Sequence, residues 1–115
     1  MAQTADFFVT AGDTKTIAVN VIEKDDQSAT TITAATIAWK VAQSQRSPVL
    51  ISKDNDAVGG ISITNGVGGT FTITLDSVDT ASLKGDYYHE CQITFADSEV
   101  ATVLKGKMTV SPGLV

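Results

Sequence analysis

His89 and Cys91 are the residues of this chain whose types best suit chemistry. A histidine can serve as a general base, and a thiolate as a nucleophile or metal ligand. Two apart on a strand, the two side chains point the same way. Yet His89 is the one histidine and Cys91 the one cysteine among 115 residues. A zinc site needs three or four such ligands. The pair therefore reads as a satisfied core or interface histidine next to a small buried hydrophobe, and a lone cysteine leaves no intrachain disulfide. Asp54, Asn55 and Asp56, and separately Asp25 and Asp26, offer hard oxygens. Neither group has the ordered spacing or terminal bidentate Glu of a calcium loop, so both read as solvated loop tips. Gly59-Gly60 and Gly68-Gly69 flank strand patterns. A phosphate cradle needs a helix N-terminus behind its glycines, so these read as turn and bulge residues. No nucleophile-elbow serine and no Ser/His/Asp trio stands out. The sequence thus assigns no catalytic, cofactor-binding or metal residue, calls for no cofactor, and describes a non-enzyme.

The elements that would hold these residues alternate with a period of two. Tyr87, His89, Cys91, Ile93 and Phe95 share one face of a strand, and Phe71, Ile73 and Leu75 line another. Ile37, Trp39 and Val41 share a face, as do Ile17, Val19 and Val21. Phe7–Thr10 reads as a short first strand. Pro48 starts a strand at Val49–Ser52, where its missing N–H costs nothing. Ile61–Thr64 precedes an Asn65-Gly66 turn extended by Val67-Gly68-Gly69. Asp76–Lys84 reads as a crossover with about one helical turn, Asp79 being its N-cap. Ala96–Glu99 is a hairpin turn. Val100–Val110 is the last strand, with Leu104, Gly106, Met108 and Val110 on one face. Mid-strand Trp39 and the corner Leu83-x-Gly85-x-Tyr87 favour an all-β, immunoglobulin-like antiparallel β-sandwich of seven or eight strands over a closed barrel.

Composition agrees. Apolar residues form 43% of the chain; Thr, Val and Ile are plentiful and strong helix formers few, which suits pleated surfaces. The length fits one domain, residues 1–115, with terminal arms at 1–5 and 111–115. Net charge is −5 and the eight Lys and Arg are scattered, so nucleic-acid binding is not expected. The first residues lack the basic and apolar regions of a signal peptide, and no apolar run approaches the ~20 residues of a membrane helix. A soluble protein with no membrane partner is expected.

Four segments together resemble a known family. They are Gly12-Asp13-Thr14 before an alternating strand, Ala34-Ala35-Thr36-Ile37 leading to Trp39, and Gly60–Asn65 followed by Gly69–Leu75. The fourth is Asp79–Tyr87 followed by Gly106–Val110. In order and spacing they resemble small phage structural proteins similar to the N-terminal domain of baseplate upper proteins. The resemblance implies a bacteriophage virion structural protein, a tail, baseplate or neck component built by symmetric contacts. It also leaves room for a capsid decoration (cement) or head-fibre protein. The partners it implies are other phage structural proteins and further copies of the chain, within a virion assembled in the host cytoplasm. A carbohydrate-binding or host-adhesion module is the alternative from another class. For contacts, the apolar termini Phe7, Phe8, Leu114 and Val115 and the exposed ring of Tyr88 are the candidate interaction residues.

Overall fold

The computed structural model describes residues 3–21, 31–56, 59–96 and 98–112. Among the described residues, two sheets form the layers of a β-sandwich, with eight strands of four residues or more. The smaller sheet has the order β3 (Lys15–Asn20), β7 (Thr70–Leu75), β6 (Ile61–Asn65). The larger runs from an edge shared by β1 (Gln3–Thr4) and β2 (Phe7–Thr10) through β9 (Val100–Ser111), β8 (Gly85–Thr94) and β4 (Thr36–Ala42) to β5 (Val49–Asp54).

The expected alternation is what the layers bury. Ile37, Trp39 and Val41 from β4, Cys91 and Ile93 from β8, and Phe71, Ile73 and Leu75 from β7 are fully buried between the sheets. Burying a side chain of this size stabilises by roughly 1.5–3 kcal/mol. The central strands are antiparallel in register, Trp39 opposite Cys91 and Val41 opposite His89.

The Leu-x-Gly-x-Tyr corner forms as expected. The Tyr87 hydroxyl donates to the carbonyl of Lys84 at 3.0 Å and accepts from its N–H at 3.0 Å. A buried ring thereby closes the corner onto the strand it starts.

The structure departs from the sequence expectations in four places. Residues 3–4, expected in a free arm, pair in parallel with Leu104 and Lys105 as β1. Strand β2 is also parallel to β9, so this edge is not antiparallel. A bulge in β9 sets Cys91 against Leu104 but Gln92 against Thr102, which leaves Val103 unpaired. The extra residue shifts the face by one, and both Val103 and Leu104 are buried. The short helix α1 (Ser77–Thr80) is capped at Asp76, not Asp79. Asp79 is the third helical residue, and its carboxylate accepts from the Asp76 N–H at 2.7 Å. That reciprocal bond satisfies one of the donors a helix start leaves open.

Candidate functional site

Trp39 on β4, His89 on β8 and the segment linking β1 to β2 meet in the interior. The indole N–H of Trp39 donates to His89 Nδ1 at 3.1 Å. An indole nitrogen can only donate, so Nδ1 carries no proton and Nε2 does. Nε2 then donates to the Ala5 carbonyl at 2.6 Å. Phe7 sets its ring edgewise against the imidazole, centroids 5.1 Å apart at 62°. His89 is wholly buried. Burial pulls its pKa below the usual 6.5, outweighing the Ala5 hydrogen bond and the Asp6 charge, which pull upward. It is a neutral structural clip with neither nitrogen free for proton transfer.

The other groups with chemical potential are also engaged. Burial pushes the Cys91 thiol up to about 12, so it is no thiolate at neutral pH. Asn55 clamps the strand opposite: its Nδ2 donates to the Ala35 carbonyl at 2.9 Å and its Oδ1 accepts from the Ile37 N–H at 3.1 Å. Asp54 accepts from the Asp56 N–H at 3.0 Å, closing a local turn. Asp25 and Asp26 lie outside the described residues. Lys53, on an inward position of β5, pairs with Asp79 of α1 at 2.7 Å. Among the described residues, no three His, Cys, Asp or Glu side chains gather as metal ligands.

What the structure leaves open is the outer face of the larger sheet. Register settles its members, because alternate residues point away from the core. One row across the sheet is Val49, Ala42, Tyr88, Lys107; the next is Ser52, Lys40, Glu90, Lys105. A bulge in β5 pairs Ala42 with Val49 and Val41 with Ile51. Leu50 is thereby the extra residue, and Val49 and Leu50 are each about half exposed, at 51% and 49%. On the far edge Phe8 opposes Thr109 and is 71% exposed. A groove of about 140 Å³ lined by Ala42, Gln45, Val49, Tyr88 and Glu90 lies at the β5 side. A second, of about 250 Å³, shares Lys40 and Glu90 with it. The Tyr88 hydroxyl donates to Glu90 Oε1 at 2.7 Å. Burial first, then the Glu90 carboxylate, raise its pKa above 10, against a hydrogen bond with Gln45 that lowers it.

Of the candidate interaction residues, Phe8 and Tyr88 therefore come together on one face, on either side of β9. Phe7 turns inward onto His89 and is half-buried. Leu114 and Val115 lie outside the described residues. Sequence reading missed Val49, Leu50, Lys40 and Lys105 as members of this face. The strands were legible, but their lateral order and the bulge were not.

No family model matches the chain, and no curated protein matches it. Among solved structures, the chain is similar to CopC from Methylosinus trichosporium OB3b. The two share 15% identity at a TM-score of 0.50, over 96% of this chain and 88% of that one. At that identity the likeness concerns the fold, and it agrees with the sandwich expected from sequence. It corrects the expected function. The structural likeness found is to CopC. The reading as a phage tail, baseplate or neck component, with its alternatives of capsid decoration, head fibre or carbohydrate-binding adhesion module, is withdrawn. The physical reason lies in the segments that suggested it. Each is turn-and-strand grammar that an antiparallel sandwich needs whatever it is part of, and a fold does not name its function.

Proposed function

We propose that this chain is a non-enzymatic interaction domain that binds a second copy of itself through the outer face of its larger sheet. The observation that carries this reading is the pair of neighbouring cross-strand rows. One holds Val49, Ala42, Tyr88 and Lys107; the other holds Ser52, Lys40, Glu90 and Lys105. Phe8 stands on the same face beyond β9, opposite Thr109. A lysine–glutamate–lysine row meets its own copy, displaced by one strand, with lysine over glutamate. Val49, Ala42 and the Tyr88 ring in the row beside it supply apolar area to exclude water, and such self-complementarity is what a twofold contact requires. The groups that could do chemistry support the non-enzymatic half of the reading, because His89, Asn55 and Asp79 are bound within the fold. With a net charge of −5, a nucleic-acid partner is not proposed.

Light scattering after size exclusion tests it. The chain should run as a dimer or larger assembly at about 100 μM, and Tyr88→Ala with Lys40→Glu should weaken association at least about tenfold, as loss of a central aromatic anchor does. A monomer at that concentration, or an unchanged assembly in the double variant, overturns the reading.

A further inference from the structure

The edge of β9 is filled by residues 3–10, which lie parallel to it. β1 and β2 are the parallel members of the larger sheet, and both pair with β9. No hairpin joins them to it. The segment lies on the sheet as an added strand does, held by main-chain bonds and by pockets for alternate side chains. Ala5 N–H donates to the Lys105 carbonyl at 2.9 Å, and Ala11 N–H to the Ser111 carbonyl at 2.8 Å. Asp6 Oδ1 accepts from the Lys107 N–H at 2.9 Å. Phe7 enters beside His89, and Val9 joins the core.

The seat is shaped for this segment. At position 106 a Cβ would collide with the Ala5 carbonyl oxygen and lie 2.7 Å from its carbon. Only glycine lets that carbonyl pass β9 and reach His89 Nε2. The tether is short by contrast. Asp13 N–H donates to the Thr10 carbonyl at 3.0 Å, and Gly12 sits at a φ of +87°. The chain then crosses to β3 in the other sheet.

We infer that the β9 edge is a strand-acceptor site that two copies of this chain fill reciprocally by exchanging residues 3–10. An identical segment from a second copy makes the contacts of residues 3–10 named above, so the exchanged and closed forms differ at the Thr10–Asp13 turn, with its Ala11, Gly12 and Asp13 hydrogen bonds, and in the loss of free rotation on association. A connection this short is the kind of hinge at which exchange occurs. The seat is the main-chain edge of β9, although Phe8 and Lys105 also present their side chains to the outer face. The inference shares with the proposed function the identity of the partner but not the contact.

Two variants that each add one exposed cysteine to the buried Cys91, Thr4→Cys and Lys105→Cys, test it once refolding has buried Cys91 again. Residues 4 and 105 are register partners, and both are exposed. Each variant also carries Tyr88→Ala and Lys40→Glu, so that the outer face contributes nothing. One is labelled with ¹⁵N, the two are mixed and unfolded and refolded together, a short bis-maleimide is added, and the products are weighed. Exchange gives the mixed Thr4→Cys/Lys105→Cys dimer at least about tenfold above either homodimer, since only that pairing places two thiols together. Homodimers and mixed dimer in random proportion, or monomers alone, overturn the inference. Circular dichroism on each variant confirms the fold. A mixed dimer here with a wild-type chain indifferent to Tyr88→Ala would sink the outer-face reading and leave exchange standing; the reverse pair of results would do the opposite.

Discussion

His89 makes two hydrogen bonds that only its neutral form can make. Protonating Nδ1 would turn an acceptor toward the Trp39 N–H into a second donor. The groups facing it are few: Asp6 from the N-terminal segment, whose charge pulls the pKa up, Cys91 two residues along β8, and Lys15 near the Phe7 ring at 6.0 Å. The Lys53–Asp79 pair sits two strands away, beyond β4, Lys53 being the register partner of Trp39. The folded pKa is lowered from 6.5, chiefly by burial. The unfolded chain therefore binds the proton first as pH falls. The stability this neutral histidine contributes is complete above the unfolded value and is lost as pH falls through the folded one. Urea midpoints should drop between pH 7 and pH 5. His89→Phe should flatten that dependence while costing about 1–3 kcal/mol at pH 7, because the Trp39 N–H is left bare, and less as pH falls. A wild-type midpoint that does not move over that window would refute the assignment.

At the scale of elements, the edge of the larger sheet depends on one glycine. Gly106 lies opposite His89 on β9, and its missing side chain is the passage for the Ala5 carbonyl. Gly106→Ala should push the segment off its seat, at a cost of about 1–3 kcal/mol of overpacking. Hydrogen exchange resolves where the cost falls. Amides of β1 and β2 should lose protection while those of β4 and β8, paired on both sides, keep theirs. Equal protection in the variant would mean that β9 gives way instead. Helix α1 shows the same economy of contacts. Its Thr80 is buried and accepts from the Gly12 N–H at 3.1 Å, so a four-residue helix holds the turn that ends the N-terminal segment.

For the whole molecule, stability and association reside in different layers. Phe71 is fully buried between the sheets, so Phe71→Ala should cost about 3–5 kcal/mol. Tyr88 belongs to the outer face, and Tyr88→Ala should change folding stability by only about 0.5 kcal/mol. Thermal denaturation in dilute solution, where assemblies have dissociated, separates the two. Comparable losses from both substitutions would place Tyr88 in the fold and take the outer face out of the functional reading.

Alternation along single strands was legible without coordinates, because a period of two is local. It named Trp39, Phe71, Ile73, Cys91 and Ile93 as core, and the corner at Tyr87 announced a sandwich. Phe8 and Tyr88 were also marked as contact residues from type and position alone. Their meeting on one face was not legible. It depends on β9 lying between β2 and β8, and lateral strand order is set by packing between residues distant in the chain. The bulges at Val103 and Leu50 were hidden for the same reason: a bulge is a mismatch between two strands, and neither strand shows it alone. Nor could the chain by itself disclose why position 106 is glycine. That answer rests on the Ala5 carbonyl, about a hundred residues earlier, which only the folded molecule carries to His89.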